Sequence, residues 1–354
     1  MSASKRKWAA RLLCVAGIGA AAFALAASEG MRLRHLAVPV LVEPSSIAAP
    51  GAAGLEEDGA ALEPVLHLGT RVAALAESDR GVLAIGLFDG GVMLWRRGEA
   101  RPVAVPEIDG RRRFVTALGW SGERLFVATY AGVLELDDSG RLRGVQLDGT
   151  AVESLLVTQG RILAGTARGL FARGASGGFE EVPLTTADGE PVRPIALASA
   201  GGTLWIGTPR GVYSLAPGQP NAEWHPLVFG RPASSTNVAV AIAAVPGGAI
   251  AGTDEGGISR VRGNDVRAMR FAEGRANAVN PGAAAEVGGC AAFGTQSGVV
   301  VGSMDPQSAR RFGPGLDVTA VHHGSRLFVG TAQGDVYALD PERVPCPPRA
   351  PRPG

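Results

Sequence analysis

The sequence contains few of the residues that build metal sites, redox centres and charged binding surfaces. Of its 354 residues, three are cysteines, five are histidines and 5% are aromatic. Charged residues make up 19%, and 34 basic residues against 33 acidic ones leave a formal net charge of +1. This near-neutral balance gives no argument for nucleic acid or an acidic surface as a partner. We therefore expect no nucleic-acid partner.

Compact motifs of catalysis and cofactor binding are also missing. There is no phosphate-binding glycine loop, no calcium-loop spacing and no H-E-x-x-H motif. His322 and His323 are adjacent, and adjacent residues on a strand point to opposite faces, so we expect them not to chelate one ion. Residues 119–123 (GWSGE) lack the last glycine of a nucleophile elbow and are typical of a turn. The sequence thus predicts no cofactor, no metal site and no compact catalytic motif.

Glycine, in contrast, is abundant, and a strand–turn–strand pattern containing it recurs seven times. The clearest copy is residues 204–215 (LWIGTPRGVYSL), and the others are 82–95, 125–136, 162–173, 249–261, 291–302 and 327–339. One position at the end of the first strand of the pattern is threonine in six of the seven copies, and we call it the threonine position. It is Leu87 in the first copy and Thr129, Thr166, Thr208, Thr253, Thr295 and Thr331 in the others. The gaps between these positions are 42, 37, 42, 45, 42 and 36 residues.

A period near 40 residues with strand-like units is typical of β-propeller blades of four strands each. The sequence therefore predicts an all-β protein, a seven-bladed β-propeller of four-stranded antiparallel blades over residues 63–340. A sandwich of ordinary hairpins is the alternative, but a sandwich does not require a fixed period. The continuous apolar runs indicate strands buried on both faces. The glycine or alanine before the threonine position suits a close approach between blades, and the later glycine suits a hairpin loop.

The seventh blade lacks room for an outer strand, because residues 341–348 contain four prolines, which remove donors from a β-ladder. An unassigned apolar segment precedes the first inner strand. We expect residues 64–69 to pair with residues 334–339, complete the last blade and close the ring.

The first 27 residues have the pattern of a targeting segment. Lys5, Arg6, Lys7 and Arg11 precede an apolar run over residues 12–27, and residues 24–26 (ALA) form a cleavage-like site. A helix of this run would be about 24 Å long, short for a ~30 Å hydrocarbon core. We favour a cleaved signal peptide over an uncleaved signal anchor. Either one exports the remainder, to the periplasm or the outer side of the inner membrane, and the membrane is a partner only if the segment stays uncleaved.

Residues 28–62 and 341–354 have few signs of regular structure. Proline, serine and small residues interrupt residues 28–62, which we expect to be a flexible linker. The end of the chain, from residue 341, is rich in proline and predicts a disordered tail. Cys290 and Cys346 lie in the exported part, where a disulfide between them is permissible, although two unpaired thiols are an equal alternative.

The most variable repeat positions lie between the threonine and the later glycine, in loops expected on one face of the ring. Loops on a rigid scaffold commonly carry binding functions. Arg168, Arg193 and Arg210 come from adjacent blades and predict an anion-attracting sector, faced by Asp254 and Glu255. The alternative is that these five residues are solubilising loop tips. A run of three arginines, 111–113, joins blades one and two and indicates a solvated loop.

The hairpin LWIGTxxGVYxL at 204–215 resembles the two-component regulator propeller repeat, familiar from the extracellular sensor regions of bacterial hybrid histidine kinases. The likeness extends over residues 63–340 and implies a propeller that binds a ligand. This chain has about seven repeats, no following Ig-like domain, no second membrane span and no kinase, so sensor signalling does not carry over. The expectation is a stand-alone, non-catalytic binding or scaffold propeller for an unknown protein or small ligand, either free or as a structural part of an envelope complex. The alternative is a lyase or hydrolase acting on a glycan or lactone.

Overall fold

The computed structural model describes residues 56–57, 62–96, 99–103, 110–158, 160–185, 189, 191–219, 221–227, 237–271, 274–303 and 309–344. All of them belong to one compact unit, Pro50–Gly354. The described part is almost entirely β-structure, with short 3-10 helices at Gly110–Arg113, Gly274–Asn277 and Pro341–Arg343. None of its helices is long and apolar enough to cross a membrane. The predicted targeting segment, residues 1–27, and residues 345–354 of the predicted tail lie outside the described residues.

The described strands, numbered in chain order, form seven sheets. Strands β1 (Glu56–Glu57) and β2 (Glu63–His67) precede blade one. Blade one contains β3 (Val72–Glu77), β4 (Leu83–Leu87), β5 (Gly91–Arg96) and β6 (Glu99–Val103). Blade two contains β7 (Val115–Ser121), β8 (Arg124–Thr129), β9 (Gly132–Asp137) and β10 (Leu142–Gln146). Blade three contains β11 (Val152–Thr158), β12 (Arg161–Thr166), β13 (Gly169–Arg173) and β14 (Phe179–Val182).

The remaining blades follow the same order. Blade four contains β15 (Ala196–Ala200), β16 (Thr203–Thr208), β17 (Gly211–Leu215) and β18 (Glu223–His225). Blade five contains β19 (Ala239–Val245), β20 (Gly248–Thr253), β21 (Ile258–Arg262) and β22 (Asp265–Met269). Blade six contains β23 (Val279–Val287), β24 (Cys290–Thr295), β25 (Gly298–Gly302) and β26 (Arg310–Phe312). Blade seven contains β27 (Val318–His323), β28 (Leu327–Thr331) and β29 (Asp335–Leu339).

The blades form a closed ring. Each inner strand contacts the inner strand of the next blade, and β27 of blade seven contacts β3 of blade one. Hydrogen bonds cross these seams, as where Thr319 Oγ1 donates to Val72 O at 2.5 Å between blades seven and one, and Thr116 Oγ1 donates to Val152 O at 2.7 Å between blades two and three. The prediction of a seven-bladed β-propeller with four-stranded antiparallel blades is confirmed.

The N-terminal closing strand is also present. β2 pairs antiparallel with β29, with Leu66 opposite Val336 and His67 opposite Asp335. Leu68 N donates to Gly334 O at 2.8 Å and extends the pairing by one residue. The last sheet therefore has the order β2-β29-β28-β27 and takes its outer strand from the start of the ring. This is the pairing predicted for residues 64–69. The two ends of the propeller are held together by a β-ladder.

Part of the segment predicted as a flexible linker is paired. Within residues 28–62, Glu56–Glu57 forms β1, which lies parallel to β26 and makes blade six five-stranded. Leu62 packs against the apolar cluster between blades six and seven. The linker prediction therefore does not hold for residues 56–57 and 62, because the outer edge of blade six offered unpaired backbone groups.

Close packing between blades explains the small residue before the threonine position. A Cβ on Gly207 would lie 2.5 Å from Ala239 O of the next blade, and one on Gly330 would lie 2.4 Å from Val72 Cγ1. Strands β4, β20, β24 and β28 are buried at every residue, as expected for strands covered on both faces. The sheets thus pack face to face around the ring, with an apolar core between each pair of neighbours.

In blades two to six, the threonine that ends the second strand closes the hairpin loop. Thr208 Oγ1 donates to Gly211 O at 2.9 Å and accepts from Arg210 N at 3.1 Å. Equivalent bonds are made by Thr129, Thr166, Thr253 and Thr295. The later glycine has a positive φ, 120° at Gly211, which a residue with a side chain rarely adopts.

Candidate functional site

One face of the ring carries the loops of interest, here called the loop face. It contains the hairpin loop between the second and third strand of each blade, together with the connections that lead into the inner strands. Backbone hydrogen bonds join these two sets, such as Phe88 N to Arg71 O at 3.0 Å and Ala332 N to Asp317 O at 2.9 Å. The five predicted site residues all lie on this face or in the connections to it.

A cup with a volume of about 310 Å³ opens at the centre of the loop face. All seven blades contribute a residue from the first half of the inner strand or directly before it, namely Ala73, Thr116, Glu153, Ile195, Val240, Gly282 and Thr319. In five blades the contributing residue lies in a β-bulge, where the register skips one position, as between Val115 and Ala117. A bulge re-aims a side chain that regular alternation would bury between sheets. The cup is therefore built from the irregular position of each inner strand.

An aromatic cluster forms the wall of the cup on the side of blades one and two. Phe88 and Phe114 are in edge contact, with ring centroids 5.4 Å apart, and Phe114 lies 6.2 Å from Tyr130. Phe88 is 40% exposed and Tyr130 is 41% exposed. Both line the cup. Large aromatic groups that stay this exposed together are a recognised sign of an interaction surface.

The loop that carries Phe88 differs from the other six. Leu87 occupies the threonine position there and is 6% exposed, so this loop has no hydroxyl to close it. Phe88 N instead bonds to Arg71 O, in the connection that precedes the same blade. The departure from the repeat thus coincides with the aromatic wall of the cup.

The charged groups around the cup are mostly neutralised by partners. Arg193 Nε lies 3.1 Å from Glu153 Oε2, and the fork of Arg193 contacts both carboxylate oxygens. Arg113 Nε lies 3.0 Å from Asp89 Oδ1 at the outer side of the aromatic wall. Arg71 instead has its guanidinium 5.7 Å from the centre of the Phe88 ring. In the described part of the chain, Arg71 forms no ion pair.

The channel continues from the cup toward the opposite face, with small and apolar side chains along a volume of about 370 Å³. At its far end, His322 Nε2 accepts a hydrogen bond from Glu77 N at 2.9 Å. Burial lowers the pKa of His322 to about 4, the nearby charge of Glu77 opposes this shift, and His323 adds to it. Ser325 Oγ donates to Glu77 Oε1 at 2.8 Å. This end of the channel is a structural seam between blades one and seven.

The predicted residues share the loop face but do not line the cup. Arg168 is exposed and lies 5.5 Å above the Phe171 ring, and Arg210 accepts at its backbone oxygen a bond from Trp224 Nε1 at 2.9 Å. Arg193 pairs with Glu153, a cup residue that the sequence analysis did not single out. Asp254 and Glu255 are exposed in the hairpin loop of blade five. A ligand site at these five residues, with the three arginines as an anion-attracting sector faced by the two carboxylates, stays a prediction.

Two further sequence features bear on the site. Among the described residues, no group of three or more His, Cys, Asp or Glu side chains is placed to hold a metal ion. Cys290 is buried and engaged in a disulfide bond, whereas Cys346 lies outside the described residues. The pairing of Cys290 with Cys346 therefore stays a prediction.

The sequence contains one signal of the cup. Phe88 and Tyr130 occupy the same loop position in consecutive repeats, the residue directly after the threonine position. Phe114, which links them, stands outside the repeat hairpin, and only the ring brings it between the other two. Phe114 lies in the connection that leads into an inner strand, and no regular spacing in the sequence relates such a residue to two hairpin loops.

Comparisons with known proteins identify the fold through solved structures. No family model matches the chain, and no curated protein matches it either. Solved structures do match. The extracellular domain of the hybrid two-component system BT4673 from B. thetaiotaomicron has a TM-score of 0.63 at 13% identity. The corresponding domain of BT3049 from the same organism has a TM-score of 0.58 at 17% identity.

These alignments cover 78% and 76% of this chain, which spans only 39% of each of those two domains. A catalytically inactive histidine-to-alanine variant of virginiamycin B lyase from Staphylococcus aureus, in complex with quinupristin, is also similar. Its TM-score is 0.60 at 12% identity, and the match covers 78% of this chain and 97% of the lyase. Identities this low show the fold alone. The chain is a seven-bladed β-propeller, and its structural likeness to these extracellular domains fits the resemblance of its repeat to two-component regulator propellers.

Proposed function

We propose that this protein is an exported, non-catalytic propeller that binds a small ligand or a protein at the cup of its loop face. The observation that carries the proposal is the aromatic cluster in which Phe88 and Tyr130 are exposed in the cup and Phe114 packs between them. Concave, largely apolar surfaces with a few polar groups are typical of ligand sites. The rigid ring presents these side chains in one fixed arrangement.

Two observations support export. The N-terminal segment combines four basic residues with an apolar run of residues 12–27. The similar propellers of BT4673 and BT3049 are extracellular domains. We propose that this chain works in the periplasm or on the outer side of the inner membrane.

The second candidate is a lyase or hydrolase acting on a glycan or lactone, which the likeness to virginiamycin B lyase favours. That lyase is inactive when one of its histidines is replaced by alanine. In the described part of this chain, no histidine lines the cup, and the carboxylate of Glu153 is held by Arg193. A fixed ion pair is poorly suited to general acid–base catalysis, and we therefore favour binding over catalysis.

The proposal is tested by affinity purification of the tagged full-length protein from native envelope fractions, with mass spectrometry of bound proteins and small molecules. The test variant is Phe88→Ala combined with Tyr130→Ala. Trp224→Ala is the matched control, since Trp224 is 44% exposed but lies outside the cup. We expect the double variant to lose a bound component that wild type and Trp224→Ala retain. Identical components from all three proteins would contradict the proposed site.

A further inference from the structure

The cup has the size and composition of a site for one small molecule. Its volume of about 310 Å³ falls at the lower end of the range of small-molecule pockets. The floor is made of short or branched apolar side chains, including Ala73, Ile195 and Val240. The hydroxyls of Thr116 and Thr319 both donate to backbone carbonyls of a neighbouring blade. The floor therefore favours the flat, apolar part of a ligand.

The aromatic wall specifies a planar partner. Phe88 and Tyr130 keep about two fifths of their surface open, with Phe114 packed between them. A ring placed against this wall gains offset-stacked or edge-to-face contacts beyond the burial of its area. Three aromatic residues brought together from two hairpin loops and one connection form a platform rather than a scattered set.

Arg71 specifies the charge. The carboxylates of Glu153 and Asp89 are each paired with an arginine, so neither attracts a further cation strongly. The guanidinium carbon of Arg71 lies 5.7 Å from the centre of the Phe88 ring, and no ion pair of Arg71 is found among the described residues. The N–H groups of a guanidinium form a fork that matches the two oxygens of a carboxylate. The net electrostatic preference of the cup is therefore for one negative charge beside the aromatic wall.

We infer that the cup binds a small aromatic carboxylic acid, with its ring against Phe88 and Tyr130 and its carboxylate on Arg71. The inference rests on the proposed binding function of the loop face and adds the chemical class of the ligand. An acid with one ring and a short aliphatic spacer satisfies the wall and the guanidinium together.

Three probes separate the parts of this inference. 3-Phenylpropanoate has both the ring and the charge, 3-phenylpropanamide has the ring alone, and propanoate has the charge alone. Binding of each to the full-length protein is measured by calorimetry and by ligand-observed NMR. We expect 3-phenylpropanoate to bind and the amide to bind about tenfold more weakly, because it loses a charged hydrogen bond. Propanoate is expected to show no binding at the same concentrations.

Matched variants locate the site. Arg71→Gln is expected to weaken 3-phenylpropanoate about tenfold and to leave the amide unchanged. Arg168→Gln is the control, because Arg168 also lies over a phenylalanine ring on the loop face but outside the cup. Arg71→Lys keeps the charge without the fork, and its affinity for 3-phenylpropanoate is expected to lie between those of the wild type and Arg71→Gln. Thermal unfolding of each variant checks that the fold is retained.

The inference is overturned if 3-phenylpropanoate does not bind at millimolar concentration, if the amide binds equally well, or if Arg71→Gln and Arg168→Gln behave alike. These failures are distinguishable from failure of the proposed function. If the acid does not bind but Phe88→Ala with Tyr130→Ala still removes a native component, only the ligand class is wrong. If neither effect is seen, the loop-face site itself is wrong.

Discussion

At the scale of single residues, the repeat assigns a separate physical task to each position. The glycine before the threonine allows the next blade to approach, and the threonine hydroxyl closes the hairpin loop. The later glycine supplies a positive φ. Leu87 is the exception, and its loop carries Phe88 of the aromatic wall. The scaffold positions therefore tolerate few side chains, while the residues between them are free to differ.

The glycine at the blade seam gives a direct test of this division. Gly207→Ala is expected to destabilise the protein by roughly 1–3 kcal/mol, because the new Cβ would lie 2.5 Å from Ala239 O and force the two blades apart. Gly144→Ala is the control, since a Cβ there meets no atom within 4 Å and the backbone is not in the positive-φ region. Denaturant unfolding measures both. Equal stabilities of the two variants would show that the seam relaxes freely.

His322 predicts a pH dependence of stability. Burial lowers the pKa of its imidazole to about 4 in the folded protein, against about 6.5 in the unfolded chain. The unfolded chain therefore takes up a proton first as the pH falls, and stability present above pH 6.5 is lost progressively between about pH 6.5 and pH 4. The loss from this group is on the order of 2–3 kcal/mol. Protonation would also remove the acceptor for Glu77 N–H.

His322→Gln provides the comparison, because an amide oxygen can accept the same hydrogen bond without titrating in this range. Unfolding free energies of both proteins are measured from pH 7.5 to pH 4.5. We expect the wild-type curve to fall more steeply than that of the variant. Parallel curves over this range would mean that His322 titrates normally.

At the scale of elements, the blades share the same antiparallel pairing of their inner strands but differ in what pairs at their outer edges. Blade seven takes its outer strand from β2, and blade six gains β1 on its outer edge. Residues 56–57 and 63–67 thus pair with two adjacent blades, six and seven. The N-terminal segment both completes the ring and covers an edge strand, which is otherwise a site for unwanted pairing.

Truncation separates ring closure from the rest of the N-terminal segment. A protein that begins at residue 62 keeps β2, whereas one that begins at residue 69 loses its pairing with β29. We expect the shorter protein to unfold at a clearly lower temperature, because it exposes the edge of β29 and unpacks Val65 and Leu66 from the core between blades one and seven. Calorimetry checks the result. If both truncations unfold at the same temperature, closure contributes little to stability.

The sequence predicted elements better than it predicted the cup. Strand–turn–strand repeats, blade number and the closing segment follow from local composition, because each copy has to bury two apolar faces. The bulges after Val115 and Val318 have no distinguishing sequence pattern, yet they place Thr116 and Thr319 in the lining of the cup. The arginine run 111–113 likewise indicated a solvated loop, but Arg112 is buried beside Asp148. Such features depend on how blades meet, which a single repeat does not contain.

At the scale of the whole molecule, the loop face and the rest of the ring differ in chemical variety. The sheets and seams repeat the same small and aliphatic residues around the ring. The exposed pair Phe88 and Tyr130, together with Arg71, occurs on one side of the cup only. A symmetric scaffold with one chemically distinct sector is suited to hold a single asymmetric ligand rather than repeated copies of one.

Cys290 connects the fold with the proposed export and supplies the last prediction. Cys290 is disulfide-bonded in the structure, and it belongs to the same apolar cluster as Val344, two residues before Cys346. Two residues of extended chain span about 7 Å, so the tail is near enough for a bridge. We expect peptide mapping without reductant to find Cys290 linked to Cys346 when the protein is made in an oxidising compartment. Cys346→Ser is then expected to lower the unfolding free energy by about 2–4 kcal/mol, whereas Cys14→Ser leaves it unchanged. Free thiols at both positions in protein made in an oxidising compartment would refute this pairing. A bridge that forms there but not in a reducing compartment would make the stability of blade six depend on the proposed export.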